Sequence, residues 1–383
     1  MSRELDWPEA RSRAAAAAPT HAVETVPLDG AVGRVLAEDL RTPIPLPHYA
    51  SSAMDGWAVN GEPPWRLREA TDPTPGEAVV IVTGGLVPPG ADAVLRAEAG
   101  RVQHGRLEPV GETGWRDVAG HRHIRPAGTE ASAGEIVIEA GALLTPPRVA
   151  LAAATGADHL VVRRRPRVAL VLTGDEVVES GMPAPGGVRD SFRVALPPIL
   201  EESGAEVVAI HRVGDDIRAT RHAIVADPVE LVVTTGGTGG SHADRVRAAA
   251  EGLGAELLVP SVAIRPGGPT FLARTPDRLI LGLPGNPLAA VLGLLALGGP
   301  LLEAWTGRPA ATTTVGVATA IEGRRRTTRL VPVAIRDGVA TPTCYAGSGM
   351  LRGLAAADAV LVVPEEGVDA GASAEALRLP WPT

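Results

Sequence analysis

The sequence contains no lysine, so all 36 of its lysine or arginine positions are arginine. Without a lysine amine the protein can neither form a Schiff base with a carbonyl substrate nor use lysine as a general base. Only one cysteine is present, Cys344, which excludes an intramolecular disulfide and a zinc site built from several cysteines. No Ser-His-Asp or Cys-His arrangement can be assembled from the spacing of the remaining residues.

An excess of positive charge is also missing, because the net charge is −8 and the pI is near 5.7. This balance argues against a nucleic-acid partner held mainly by phosphate contacts. No secretory signal is apparent, since the alanine run 14–18 follows arginines rather than forming an apolar segment, and we expect a cytoplasmic protein. The longest apolar run, 287–302, is interrupted by Gly298-Gly299-Pro300 and predicts a buried helix and no membrane partner.

One stretch combines a strand, a glycine-rich turn and a helix. Leu231–Val233 is a short apolar strand, followed by Thr234-Thr235-Gly236-Gly237 and then by Thr238-Gly-Gly-Ser241. A turn of this kind points backbone N–H groups and a helix N-terminus at an anion, and its glycines allow close approach. Asp244 is a carboxylate just beyond, where a divalent metal on a phosphate could lie. From these residues alone, a plain tight turn is the equal alternative.

Two further strands end in loops that could meet this one. The continuous apolar run 168–172 is typical of a parallel strand covered on both faces, and Thr173-Gly174-Asp175-Glu176 follows it. The strand 278–283 ends in Pro284-Gly285-Asn286, with Asn286 as an expected helix N-cap. Open α/β sheets bind ligands at the carboxyl ends of their strands, so we expect the three loops to converge. For Asp175 and Glu176 the alternative is a solvated turn.

The rest of the chain supplies helices and β modules. A helix is expected over 5–18, a small all-β module over 60–127, a helix capped by Asp215, and short alternating strands over 312–363. Asp55 lies in a turn that enters the first β module, where it either caps its own backbone or has a functional role. Arg265, beside a glycine loop, is either a surface charge or a fork for a phosphate or oxyanion.

Six segments in this order and spacing resemble the molybdopterin molybdenumtransferases, the family that includes the E domain of gephyrin. They are Ser52-Ala-Met-Asp-Gly-Trp-Ala58, Thr83-Gly-Gly-Leu-Val-Pro-Pro-Gly-Ala-Asp-Ala93, Thr173-Gly-Asp-Glu176, Thr234-Thr-Gly-Gly237 with Asp244, Arg265-Pro-Gly-Gly-Pro269 and Gly282-Leu-Pro-Gly-Asn-Pro287. Any one of them is a weak signal, whereas six in register across nearly the whole chain are a strong one.

The resemblance implies a multidomain α/β plus β fold. It comprises a discontinuous elongated N-terminal domain (1–46 and 128–165), an inserted β domain (47–127), a central three-layer, MogA-like α/β domain that binds molybdopterin (166–307) and a C-terminal β-barrel-like domain (308–383). It also implies a homodimer, with each cleft between the α/β domain of one subunit and the inserted β domain of the other. An adenylyltransferase that supplies the substrate is a possible further partner.

The implied reaction inserts molybdate into adenylylated molybdopterin with Mg²⁺ and releases AMP. The resemblance makes Asp55, Glu176 and Asp244 catalytic, with Glu176 and Asp244 also holding the metal. The implied substrate- and phosphate-binding residues are Thr83, Thr173, Gly174, Asp175, Thr235, Gly236, Gly237, Ser241, Arg265, Pro284, Gly285 and Asn286.

Several positions depart from the family pattern, among them Arg265, which replaces a lysine, and Gly239-Gly240-Ser241, which replace a serine-valine-glycine run. Ala50 and Ser51 stand where the family usually has Asp-Asn, Glu130 replaces an aspartate, and Gly268 replaces a lysine. The loss of polar groups at Ala50 and Gly268 keeps an alternative open, in which the protein binds molybdopterin or the molybdenum cofactor as a non-catalytic carrier or chaperone.

Overall fold

The computed structural model describes residues 4–69, 71–237 and 245–381. The chain divides into two compact units by its internal contacts. The larger unit comprises Met1–Glu24, Gly33–Val35 and Val162–Thr383, and the smaller comprises Thr25–Val32 and Leu36–Val161.

The first described helix is α1 (Trp7–Ala16), inside the range expected from the sequence. Its N-cap Asp6 accepts a hydrogen bond from Glu9 N at 2.9 Å, which satisfies one of the free N–H groups of the first turn. Trp7, Ala10 and Ala14 are buried and join the main core of the larger unit. A short strand, β1 (Val23–Pro27), and a 3₁₀ turn (Leu28–Gly30) follow.

The smaller unit is mostly β, as the sequence predicts. Its elements are β2 (Leu40–Arg41), β3 (Ser51–Ser52), β4 (Gly56–Asn60), β5 (Trp65–Arg68), β6 (Glu77–Ile81), β7 (Ala93–Arg96), β8 (Gly100–Gln103), β9 (Arg106–Pro109), α2 (Gly111–Asp117), β10 (Ile124–Arg125), β11 (Ile136–Ile138) and α3 (Pro146–Ala154), with a 3₁₀ turn at Ala97–Ala99. Six strands form one sheet in the order β7-β4-β6-β5-β9-β8. Trp65 is fully buried in it, and its indole N–H donates to Gly61 O at 2.9 Å.

The larger unit contains the α/β sheet. After β12 (His159–Arg163), its elements are β13 (Arg167–Thr173), β14 (Val177–Val178), β15 (Val188–Arg189), α4 (Phe192–Glu202), β16 (Glu206–Val213), α5 (Ile217–Val225), β17 (Leu231–Thr235), α6 (Arg245–Glu251), β18 (Glu256–Val259), β19 (Ile264–Arg265), β20 (Phe271–Arg274), β21 (Leu279–Leu283), α7 (Pro287–Gly293) and α8 (Gly299–Thr306). The sheet order is β16-β13-β17-β21-β20-β18. All strands run in the same direction except β20, which is antiparallel to both of its neighbours, β21 and β18. All residues of β17 and β21 are buried, as expected for strands covered on both faces.

The apolar segment 287–306 is a continuous helical stretch through α7, a π segment (Leu294–Gly298) and α8. By length and composition this 20-residue stretch could cross a membrane, but 83% of its most apolar window is buried inside the protein. Leu288, Leu292 and Leu301 are fully buried in the same core as the central strands. The expectation of a core helix is therefore confirmed.

The C-terminal part of the larger unit is a closed five-stranded barrel. Its elements are β22 (Thr312–Val317), β23 (Thr328–Arg336), β24 (Val339–Pro342), α9 (Arg352–Ala355), β25 (Ala359–Val363) and β26 (Ser373–Arg378). The strands follow the order β23-β24-β22-β26-β25, and pairing between β25 and β23 closes the ring. The short strand β19 attaches to β23 in parallel, which brings Arg265 opposite Arg329.

A tight contact in the central sheet leads to a first prediction. A β-carbon on Gly282, in β21, would lie 2.0 Å from the ring of the fully buried Phe271. We expect Gly282→Ala to lower the free energy of unfolding by roughly 1–3 kcal/mol through overpacking, measured by urea titration. Gly316→Ala, in β22, is the control, because its nearest neighbour would be 3.7 Å away. Equal stability of the two variants would contradict the packing argument.

A buried carboxylate in the smaller unit leads to a second prediction. The Asp117 side chain is 2% exposed and accepts bonds from Arg96 Nε at 2.8 Å and His123 Nε2 at 2.9 Å. Burial alone would raise the pKa of Asp117, but the bonds from Arg96 and His123 outweigh it and the pKa is lowered. This stabilisation is therefore present above the unfolded pKa of about 3.9 and is lost as the pH falls through the folded pKa.

We expect Asp117→Asn to cost roughly 2 kcal/mol at pH 7 and to flatten the loss of stability in acid, measured by urea midpoints from pH 7 downward. The control is Glu112→Gln on the same helix, since Glu112 pairs with Arg116 while 79% exposed and such pairs contribute under about 1 kcal/mol. An unchanged acid slope in Asp117→Asn would refute the assignment.

Candidate active site

Three turns meet at one edge of the central sheet. Strands β13, β17 and β21 lie side by side in register, so that Leu172, Thr235 and Leu283 are aligned. The Thr173 hydroxyl donates to Thr235 O at 2.6 Å, and Gly236 N donates to Leu283 O at 2.9 Å. The convergence expected from the three strand ends is therefore what the structure has.

Glycines allow the turns to approach this closely. Gly236 has φ +82°, and a β-carbon there would lie 2.5 Å from the Thr173 hydroxyl oxygen. Gly285 lies against Gly236, with 3.5 Å between its β-carbon position and Gly236 Cα. Gly174, at φ +123°, leaves room for the Glu176 carboxylate, whose nearer oxygen would be 2.9 Å from a β-carbon. The backbone of these turns is thus not covered by side chains at the three glycines, which lets a ligand approach it closely.

The carboxylates of Asp175 and Glu176 follow β13 and are both exposed. Asp175 Oδ1 accepts a hydrogen bond from Asp215 N at 3.1 Å, which ties the turn after β13 to the turn after β16. The carboxylate of Asp215 in turn pairs with Arg245 at 3.4 Å. Glu176 makes no ion pair with any residue that the structure describes, so it can contact a ligand or a cation.

Asp215 and Arg245 were missed as residues of this edge, because the sequence was interpreted as placing Asp215 at a helix N-cap. The cap is Asp216 instead, whose carboxylate accepts from Ala219 N at 2.7 Å. The signal was the Asp215-Asp216 pair, since one carboxylate suffices for a cap and the second is available for another role.

Part of the predicted site lies outside the described residues. This applies to Ser241 and Asp244, and to the neighbouring Thr238, Gly239, Gly240 and His242. Within the described ranges, no three His, Cys, Asp or Glu side chains are grouped closely enough to hold a metal ion by themselves.

Thr234 and Thr235 end the strand β17 and are fully buried. Neither hydroxyl has a hydrogen-bond partner in the structure as described. A buried hydroxyl without a partner costs free energy, so these two groups are candidates for a bond to a ligand at the edge that they terminate.

A pocket of about 420 Å³ lies beside this edge. It is lined by Arg265, Pro266, Gly267, Pro269, Pro284, Asn286, Ala289, Arg329, Leu330, Val331, Ala346 and Ser348. Arg265 and Arg329 face each other in the pairing of β19 with β23, which supplies two guanidinium groups. Two planar forks in one small pocket suit a tetrahedral oxyanion.

The turn after β21 belongs to both the sheet edge and this pocket. Pro284 and Asn286 line the pocket, whereas Gly285 contacts Gly236. Asn286 is at the N-cap of α7 as predicted, yet its side chain makes no capping hydrogen bond. Its amide is therefore available to a molecule in the pocket. Ser348 is fixed on the opposite wall, because its carbonyl accepts from Ala289 N at 3.1 Å.

In the smaller unit, Asp55 and Thr83 are hydrogen-bonded to each other. Asp55 Oδ1 accepts from Thr83 N at 2.7 Å, and both residues are exposed. Large apolar side chains are exposed nearby along the chain, with Val82 61% and Leu86 62% exposed. This combination of polar pair and uncovered apolar surface is typical of a contact with another molecule.

The positions that depart from the family pattern differ in their surroundings. A β-carbon on Gly268 would lie 3.2 and 3.3 Å from the carbonyl oxygens of Ile264 and Val262, so a larger residue is disfavoured there. Ser51 is buried in the pairing of β3 with β10, and Glu130 is exposed. Ala50 O accepts from Val87 N at 2.9 Å.

Three family models together match most of the chain. Residues 5–156 match the MoeA N-terminal region (domain I and II), residues 169–304 a probable molybdopterin binding domain, and residues 314–379 the MoeA C-terminal region (domain IV). The multidomain fold that the sequence led us to expect is confirmed by these matches and by the structures below.

Whole-chain relatives agree with the family models. Molybdopterin molybdenumtransferase 2 of Mycobacterium tuberculosis is 33% identical over 92% of this chain and 93% of its own length. The molybdopterin molybdenumtransferase of Synechococcus elongatus is 34% identical over 74% of this chain and 75% of its own. The crystal structure of a molybdopterin biosynthesis MoeA protein from Pyrococcus horikoshii superposes with a TM-score of 0.78 at 25% identity, covering 98% of this chain and 99% of that one.

The hydroxyl of Thr173 provides a test of how the edge is held. We expect Thr173→Val to lower the free energy of unfolding by about 1 kcal/mol, because the carbonyl of Thr235 loses its donor. Thr173→Ser is the control, since it keeps the hydroxyl. The measurement is a urea titration of both variants, and a valine variant as stable as the serine one would refute the tether.

Proposed function

The chain belongs to the molybdopterin molybdenumtransferase family, and from that premise we propose that it is a transferase of molybdenum cofactor biosynthesis. We propose that it inserts molybdate into adenylylated molybdopterin in the presence of Mg²⁺ and releases AMP. A cytoplasmic location is part of this proposal and remains a prediction.

The observation that carries the proposal is the turn shared by two kinds of site. One side of the Pro284–Asn286 turn faces glycine-rich backbone, and the other lines a pocket with two arginines. Insertion of an oxyanion into an organic ligand needs the two reactants next to each other, since positioning converts a bimolecular step into an effectively intramolecular one. A protein that only stores a ligand has no need of the second pocket.

The phosphate groups of the substrate would lie on the glycine edge. The backbone N–H of Gly237 and the hydroxyl of Thr235 would supply donors without adding charge, while Gly236 N and the Thr173 hydroxyl hold the turns through their bonds to Leu283 O and Thr235 O. Ser241 is a predicted further donor outside the described residues. Molybdate, as the other substrate, would bind between Arg265 and Arg329, with Asn286 and Ser348 as polar neighbours.

The proposed Mg²⁺ would be held by Glu176 and Asp244, and it would stabilise charge on the phosphate as AMP leaves. The fit can be judged on Glu176, which is exposed and makes no ion pair among the described residues. Magnesium in nucleotide sites takes one or two carboxylates and completes its shell with phosphate oxygens and water, so a group of three acidic ligands is not required.

A homodimer is the second element of the proposal. We infer that Asp55 and Thr83 of the partner subunit complete each cleft, which accounts for an exposed polar pair flanked by exposed Val82 and Leu86. Mixing inactive Asp55→Asn with inactive Glu176→Gln should then restore about a quarter of wild-type activity, because about half of the dimers formed are mixed and each mixed dimer has one intact cleft of two. A mixture without activity would exclude a shared cleft.

The alternative is a molybdopterin carrier without turnover. It is favoured by Gly268 and Ala50, which lack the polar side chains expected there. The two functions are separated by incubating the protein with adenylylated molybdopterin, molybdate and Mg²⁺ and following AMP. If AMP is released no faster than in the absence of protein while molybdopterin still binds, the carrier function is the one supported.

For the transferase we expect two distinct effects of substitution. Glu176→Gln should reduce AMP release by about 100-fold or more, as loss of a group that stabilises transition-state charge does. Arg265→Gln should instead raise the molybdate concentration for half-maximal rate by about tenfold, which is ~1.4 kcal/mol. The control is the exposed Arg274→Gln in the same unit. Wild-type kinetics from both site variants would reject the assignment.

A further inference from the structure

A second group of arginines lies in the larger unit, outside the pocket described above. We call it the arginine cluster; its members are Arg34, Arg163, Arg165 and Arg308. None of them lines the pocket of Arg265 and Arg329. The cluster joins three separate parts of the sequence, so it is a product of the fold rather than of the Arg163-Arg164-Arg165 run alone.

Two glycines, Gly33 and Gly204, lie beside the cluster. Arg308 Nη2 and Arg165 Nη2 lie 3.6 and 3.8 Å from the point where a β-carbon on Gly33 would be. A β-carbon on Gly204 would lie 3.1 Å from Arg308 Cδ. The guanidinium groups of Arg165 and Arg308 are thus brought together around one residue with a bare backbone.

Arg34 and Arg308 are held by carbonyl oxygens and, in the case of Arg34, by one carboxylate. Arg34, whose side chain is 9% exposed, pairs with Glu24 and donates to Arg163 O at 2.8 Å. Arg308 donates to Gly33 O at 3.1 Å and also to Glu202 O. Carbonyl oxygens orient a guanidinium but do not neutralise it, so the charge of Arg308 is offset only in part, by the nearby carboxylate of Glu202.

Arg165 is different, because it has no hydrogen-bond or ion-pair partner among the described residues. Among the residues that the structure describes, no carboxylate lies within ion-pair distance of it, and its buried Nε makes no hydrogen bond. A buried donor without an acceptor costs about 1–3 kcal/mol, and more when the group is charged. The residue is only partly buried as a whole, so its remaining donors are within reach of a ligand.

The electrostatics agree with this geometry. Burial and then the charge of Arg34 lower the pKa of Arg165, and burial and then the charge of Arg165 lower the pKa of Arg308. Glu206, Glu201 and Glu24 offset only part of this effect on Arg165. The fold therefore holds like charges together at a cost that a bound anion would remove.

We propose that the arginine cluster is a second anion site, which takes a tetrahedral dianion between Arg165 and Arg308. The ligand is either a free oxyanion such as phosphate or the phosphate group of a nucleoside monophosphate. Guanidinium forks bind both through the same oxygens, and the bare backbone at Gly33 leaves room for them. The site is separate from the one proposed for the reaction, and it does not depend on that function.

The test is calorimetric titration of the full-length protein with inorganic phosphate and, separately, with AMP, in buffers matched for ionic strength with chloride. We expect phosphate to bind wild type and Arg265→Gln, and Arg165→Gln to bind it at least about tenfold more weakly, as loss of a charged contact predicts. Arg274→Gln is the control for loss of one exposed positive charge. An Arg165-dependent signal from AMP but not phosphate would assign the site to nucleotides.

A second variant, expected to increase the phosphate affinity rather than lower it, keeps the test decisive if Arg165→Gln fails to fold. Glu24→Gln removes the carboxylate that pairs with Arg34, so it should tighten phosphate binding severalfold. Phosphate should also raise the melting temperature of wild type and not that of Arg165→Gln, since a ligand stabilises only a state that binds it. Equal phosphate affinity in wild type, Arg165→Gln and Glu24→Gln, or binding abolished by Arg265→Gln alone, overturns the proposal.

Discussion

The register of three parallel strands is the constraint on which the candidate site depends. Because Leu172, Thr235 and Leu283 are aligned across β13, β17 and β21, the turns that follow them leave the sheet at one level. A shift by one residue would turn Thr173 to the other face and break its bond to Thr235 O. Such a shift is opposed by packing, because Leu170 and Leu172 belong to the core on one face and the smaller Ala169 and Val171 to the core on the other, and a shift would exchange them. Packing in the core thus fixes the positions of groups that themselves contribute little to stability.

This edge was predictable because its signals are local. A continuous apolar run followed by glycine and polar residues indicates a buried parallel strand and its turn, and the rule for open α/β sheets adds that such ends meet. The same reasoning could not find the pairing of Arg265 with Arg329, which are far apart in the chain and are joined by a strand of two residues. The N-cap of α5 was assigned to Asp215 instead of Asp216, since both members of an Asp-Asp pair satisfy the rule for helix caps.

Domain composition came from the resemblance and not from periodicity. Short alternating strands predicted two β modules, but the closure of the C-terminal barrel depends on pairing between β25 and β23, a long-range contact. The roles of Asp55 and Glu176 remain predictions, because they concern ligands and a partner subunit. The predicted domain boundaries also remain predictions. The arginine cluster was equally invisible: Arg163-Arg164-Arg165 is obvious in the sequence, whereas its meeting with Gly33 and Arg308 is not.

Because the chain has no lysine, its arginines occupy several different environments. A guanidinium keeps its charge while donating to carbonyls, and an ammonium has no planar fork with which to do the same. Arg96 is neutralised by buried Asp117, and Arg34 by Glu24. Arg265, Arg329, Arg165 and Arg308 have no carboxylate partner among the described residues. Arg265 and Arg329 line one pocket, and Arg165 and Arg308 both approach Gly33, so each pair concentrates positive charge that an anion from outside the protein would neutralise.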